Sequence, residues 1–142
     1  MVESRTSEPT KAGYFWRILC KNDADLLRYK YLDDHGIDFV VETKNGFLKF
    51  QVKTVRDTTG YVFMRKNVFD ISDKSLYLLL IRLEHPEIYA IPISAWNDST
   101  KTAFVSRDYD RKKSKPEYGF NISKKNLHQL DCHKIENSID LF

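Results

Sequence analysis

Asp38, Gln51 and Lys53 are the residues of this chain whose types and spacing point most directly to chemistry. Carboxylate and carboxamide oxygens are hard donors of the kind magnesium prefers, and an ammonium group is a movable point charge suited to a phosphate. Brought around one ion, the three could activate a water molecule for attack on a phosphodiester. They fall within Gly36 to Thr54, GIDFVVETKNGFLKFQVKT, which reads as one β-hairpin with strands Ile37 to Thr43 and Phe47 to Thr54. Asn45-Gly46 supplies the turn, because both residues tolerate positive φ. With those two as the loop residues, Asp38 opposes Lys53, Val40 opposes Gln51 and Glu42 opposes Lys49. Alternation then places Ile37, Phe39, Val41, Leu48, Phe50, Val52 and Thr54 on an apolar face that must be buried. Asp38, Gln51 and Lys53 share the other, wet face. The same alternation fits a plainer reading, in which Asp38–Lys53 and Glu42–Lys49 are ordinary cross-strand ion pairs worth about 0.2–1 kcal/mol each.

The elements that must position these residues follow from the surrounding pattern. Residues 1 to 9 read as a flexible leader, and Lys11 to Lys21 as a helix with Ala12, Phe15, Trp16, Leu19 and Cys20 on one side. Leu26 to Leu32 reads as extended, and Asp33 to Gly36 as a loop into the hairpin. Tyr61 to Arg65 suits a third strand, followed by a short connector from Asn67 to Lys74 with room for one or two helical turns. Leu76 to Leu83 is an almost unbroken apolar run of strand length, which predicts a central strand buried on both faces. Glu87 to Ile93 is the next strand, hairpinned to it. Ser94 to Trp96 opens a short helix, and Ser123 caps another that runs to Leu130. Trp16, Trp96, Tyr61 and Phe63 are read as core.

With 142 residues the chain has room for one domain with a proper core. A hydrophobic share of 42% argues for a folded protein rather than a disordered one. The net charge of +3 is compatible with nucleic acid without pointing to it, since clustering matters more than the sum. Cys20 and Cys132 make neither a disulfide framework nor a CxxC metal pair. His128, Cys132 and His133 read as an incidental trio. The N-terminus has no apolar signal stretch, and the longest apolar run, Leu76 to Ile81, is too short to cross a bilayer. The expectation is a soluble cytoplasmic protein with no membrane partner.

The order of helix, hairpin, third strand, connector and buried strand, carrying Gly36-Ile37-Asp38 and then Gln51-Val52-Lys53-Thr54, resembles the PD-(D/E)xK nuclease superfamily. The resemblance is closest to small bacterial domains with a GxD…QxK pattern. It implies an α/β fold of the restriction-endonuclease-like type, a single domain over 10–142. A mixed central β-sheet would be flanked by helices in an αβββαβ core over 11–96, with 97–142 as a C-terminal extension. It implies a metal-dependent endonuclease acting on DNA. Asp38, the Gln51 side-chain oxygen and the Val52 carbonyl would hold Mg²⁺ or Mn²⁺, and Lys53 would orient the attacking water or stabilise the charge of the transition state. Gln51 stands where the family usually has an acid, and the helix core has no acid, leaving Glu8 as the nearby candidate. Both departures also suit a relative without activity that binds nucleic acid or protein. One small domain covers little duplex, so a homo-oligomer is expected.

Arg107, Arg111, Lys112, Lys113 and Lys115 cluster around Tyr109, with Lys124 and Lys125 beyond. Such a tract tracks a phosphate backbone or is a solvated loop whose charge Asp108 and Asp110 dilute. His35 is a loop residue near the proposed site, within reach of DNA.

Overall fold

Two β-sheets, joined through one apolar core, build the part of the chain that the computed structural model describes, residues 28–34, 37–43, 46–56, 60–83, 87–98 and 100–137. The strands are β1 (Arg28–Asp34), β2 (Ile37–Thr43), β3 (Gly46–Val55), β4 (Gly60–Arg65), β5 (Leu76–Arg82), β6 (Glu87–Pro92), β7 (Phe104–Arg107) and β8 (Glu117–Ile122). The larger sheet has the order β1-β2-β3-β5-β6 and the smaller one β4-β8-β7. Among the described strand pairs only β3–β5 is parallel, so the larger sheet is mixed, which is consistent with an α/β domain. Helical structure among the described residues is limited to short 3-10 segments at Ile93–Asn97, Leu127–His133 and Ile135–Asn137. The leader and the expected helix over 11–21 lie outside the described residues.

Burial on both faces explains the apolar run of β5. All seven of its residues are buried. Leu76, Leu78 and Leu80 face the smaller sheet, packing with Val62 and Met64 of β4 and with Tyr118, Phe120 and Ile122 of β8. Leu79 and Ile81 lie on the opposite face, with Phe50 and Val52 of β3 in register beside Tyr77 and Leu79. Trp96 is a hub of the core. Its ring meets Phe104 edge-on at 5.0 Å and Phe69 at 6.1 Å, and its indole N–H donates to the Gly119 carbonyl over 2.8 Å.

Several sequence expectations change. The hairpin register runs from Phe39↔Phe50 to Thr43↔Gly46, so Gly46 begins β3, at φ +117°, instead of closing the turn. Asn-Gly specifies positive φ, but it does not decide which of the two positions belongs to the ladder. Asp33 and Asp34 belong to β1 and not to a loop. Residues 67–74 form turns without a helix. Asp70 and Asp73 each accept bonds from the backbone and hydroxyl of the serine two residues on, which offers the chain an alternative to helical bonding. The third strand, β4, leaves the hairpin's sheet and pairs with β8. Residues 97–137 therefore complete a sheet and the core, where an appended extension was expected. Strands β7 and β8 escaped the sequence reading because charged and small residues break their alternation.

Two outcomes follow for stability. Trp96→Phe should cost about 2–4 kcal/mol in urea denaturation, through lost packing and an orphaned Gly119 carbonyl. His133, pressed against Phe104 at 6.3 Å, has its pKa lowered from 6.5 to about 4 by burial and by the charge of Lys101. The unfolded chain binds a proton in that interval that the folded chain refuses, so stability should fall as pH drops from 6.5 towards 4. Carboxylates held low in the fold, such as Glu87, add their own loss only from about 4.5 downward. Thermal melts of His133→Leu should be flatter than wild type across the upper part of that interval.

Candidate metal site at the β2–β3 seam

Strand β3 alternates its backbone between two neighbours. Lys49 donates its N–H to Ser75 just ahead of β5, and Val55 accepts from Leu83 just after it. Odd-numbered residues of β3 thus bond towards β5 and even-numbered residues towards β2. Phe50 meets Phe39 in this way, and there the β2–β3 ladder ends. The next inward donor on β3, the N–H of Val52, has no strand partner in that ladder. The Asp38 carboxylate takes its place, accepting the bond through Oδ2 at 2.6 Å. In an extended strand the carbonyl of a residue points to the same side as its N–H, so the Val52 oxygen also faces this seam.

The observed register is displaced by two residues from the expected one. Val40 opposes Lys49 and Glu42 opposes Phe47, so the pairings Asp38–Lys53, Val40–Gln51 and Glu42–Lys49 do not occur. A slip of two leaves each ladder residue on its predicted face, because the side-chain period is two. Lys49 instead forms an ion pair with Asp73, which ties β3 to the turn ahead of β5.

The environment of the face is also different from the expected one. Lys49, Gln51 and Lys53 are in register with Leu76, Leu78 and Leu80, the side of β5 that carries the main core. Pairing with a doubly buried strand brings the polar side of β3 in with it. Gln51 is half-buried, and its Oε1 is inaccessible to solvent and has no hydrogen-bond partner among the described residues. Such an oxygen carries a desolvation cost of about 1–3 kcal/mol unless a ligand meets it. Lys53, also half-buried, runs along the edge strand β4, and its ammonium lies 5.8 Å from the centre of the Phe63 ring.

Asp38 and Val52 therefore meet at this seam, and Gln51 and Lys53 flank Val52 along β3. No family model matches this chain, and no characterised protein does. The site stands on its own geometry. Among the described residues no three of His, Cys, Asp and Glu cluster. One carboxylate, one amide and one peptide carbonyl are the oxygen donors these residues offer, a hard set whose chemistry suits Mg²⁺ or Mn²⁺ better than a thiophilic ion. Glu8 and His35 lie outside the described residues.

The basic tract is divided by the fold. Arg107 closes β7, while Arg111 begins a turn closed by backbone bonds with Ser114. Lys112 and Lys113 are exposed, and Lys115 pairs with Asp110 at 2.8 Å. Sequence reasoning missed the company this tract keeps. Tyr61 and Phe63, expected in the core, lie on the outer face of the smaller sheet, where Val62 and Met64 between them point inward. The apolar run Tyr61 to Met64 reads as core by composition, whereas alternation from Arg65, the charged residue of the strand, puts Phe63 and Tyr61 on the outer face with it.

Three substitutions test the seam. Asp38→Ala should cost about 1.5–3 kcal/mol by orphaning the Val52 N–H, and Asp38→Asn should recover part of it, both by urea denaturation. Gln51→Met removes the partnerless oxygen and should raise stability in EDTA by about 1–2 kcal/mol.

Proposed function

We propose that this chain is a metal-dependent endonuclease of the restriction-endonuclease-like type, acting on DNA at the β2–β3 seam. The observation that carries the reading is the buried Gln51 oxygen, without a partner among the described residues, one residue before the Val52 N–H that the Asp38 carboxylate meets in place of a strand. A polar atom is kept dry at such a cost where a bound group repays it. Asp38, Gln51 and the Val52 carbonyl would hold Mg²⁺ or Mn²⁺. The bound ion would lower the pKa of water and polarise a phosphate oxygen.

The chain's own residues supply the rest. Asp38 provides the single negative charge among the side-chain donors, and its bond to Val52 fixes the carboxylate against β3. Gln51 adds a neutral oxygen, so a substrate phosphate contributes the charge that a second carboxylate would otherwise bring. Lys53, two residues beyond Gln51, would supply an ammonium to counter charge on the phosphate as it is attacked. The core around Leu78 and Leu80 excludes water from the inner side of the site and strengthens each of these interactions.

A second reading, a binding module without activity, draws support from the single carboxylate at the described seam. Nicking of plasmid in Mg²⁺ or Mn²⁺ separates the two. Wild type should cut, EDTA should stop it, and Lys53→Ala should slow it about 10²–10³-fold with the melting temperature preserved. Gln51→Glu should lower the Mg²⁺ concentration needed for half-maximal cutting. Absence of cutting by a folded wild type across duplex, single-stranded and branched DNA would exclude the nuclease reading.

A further inference from the structure

We propose that the outer face of the β4-β8-β7 sheet binds single-stranded nucleic acid, with its aromatic rings stacking bases and its cations holding phosphates. The inference does not depend on metal binding, because its two central rings and their arginines lie on the other sheet; Lys53 alone borders both.

The face is built around two rings from alternate positions of β4. Tyr61 and Phe63 are nearly parallel, 19° apart, with centres 6.1 Å from each other. Gly119 of β8 makes this possible. A Cβ there would lie 2.0 Å from the Tyr61 hydroxyl, so the phenol rests in space that only glycine leaves open. The hydroxyl then donates to Glu117 at 2.5 Å, and burial together with that carboxylate holds the phenol well above its ordinary pKa. Tyr61 is thereby locked as a flat, neutral platform. Phe63 has no such anchor and remains 37% exposed.

Each ring carries a cation. The Arg107 guanidinium is 5.0 Å from the centre of Tyr61, and that of Arg65 is 5.1 Å from Phe63. Lys53 reaches Phe63 from the metal-site side, and Arg111 lies 5.9 Å from Tyr109 at the far side. Beyond the end of β4 the surface deepens into a groove of about 600 Å³ lined by Arg65, Lys66, Asn67, Asp110, Lys115 and Pro116. Three carboxylates moderate the charge but are engaged within the fold. Asp108 pairs with Lys66, Asp110 with Lys115, and Glu117 lies buried beneath Tyr61.

This composition selects its partner. The cores of protein interfaces are depleted of charged side chains, whereas here each exposed ring is flanked by a guanidinium or ammonium group. Arginine beside aromatic faces suits a polyanion that also presents flat faces. A duplex keeps its bases stacked inside, so a single strand is the form that can use both the rings and the cations.

Fluorescence anisotropy of a labelled oligothymidylate in EDTA tests the proposal without cleavage. Wild type should bind it more tightly than a duplex of equal length. Phe63→Leu, which keeps apolar bulk and removes the π face, should weaken binding about ten- to a hundredfold, while Phe63→Trp should retain it. Arg107→Gln should lower the salt slope by about 0.7, as expected for one lost phosphate contact on a single strand. Asp38→Ala should leave affinity unchanged even if plasmid nicking is lost, which separates this face from the metal site. Three results would overturn the proposal: no binding by folded wild type, equal affinity for duplex with Phe63→Leu unaffected, or competition by polyglutamate as strong as by oligothymidylate. The last would assign the face to an acidic protein.

Discussion

A buried backbone donor must find an acceptor, and on β3 the N–H of Val52 finds the Asp38 carboxylate where a neighbouring strand would normally supply a carbonyl. Much of the arrangement around the candidate site depends on this substitution. It marks the point where the β2–β3 ladder ends, brings an acid against the peptide between Gln51 and Val52, and leaves the Val52 carbonyl facing the same seam. A charge-assisted bond of this kind fixes the carboxylate far better than an exposed cross-strand ion pair would. The structural and the functional readings of Asp38 are therefore compatible, because the bond that closes the sheet also orients the donor.

The parallel pairing of β3 with β5 is the second constraint. A strand as apolar as β5 needs cover on both sides, and its partner β3 is drawn into the same environment. The polar side of β3 thus meets the core at Leu78 and Leu80, and Lys49, Gln51 and Lys53 along it are half-buried. This arrangement explains how Gln51 comes to hold a dry, unmet oxygen while Lys53 still extends past the edge strand to the Phe63 ring. The proposed metal site and the cation-bearing aromatic surface thus adjoin through Lys53 while resting on different sheets.

Local pattern made some of this legible and left other parts hidden. Strands β2 to β6 could be read because their apolar runs and alternation are long enough to be distinctive. The face on which each ladder residue of β2 and β3 lies could be read too, since a two-residue slip does not move a side chain to the other face. The slip itself was hidden, because Asn45-Gly46 admits more than one pairing. The half-buried state of the polar face was hidden as well, since it depends on β5 and on a second sheet that the hairpin's own sequence does not encode. Tyr61 and Phe63 were assigned inward by their hydrophobicity. Their true direction is set by β8, and the decisive residue is Gly119, whose missing side chain carries no periodic signal.

The pairing of β4 with β8 joins residues 60–65 to residues 117–122, with β5, β6 and β7 in between. During synthesis β4 emerges long before its partner exists. The meander and its parallel neighbour can assemble first, but Leu76, Leu78 and Leu80 then stand with one side uncovered until β8 arrives. Loop closure over that span is an entropic toll that local contacts cannot offset. Vectorial folding of this chain is thus gated late, by a six-residue strand whose arrival both seals the core and creates the aromatic face.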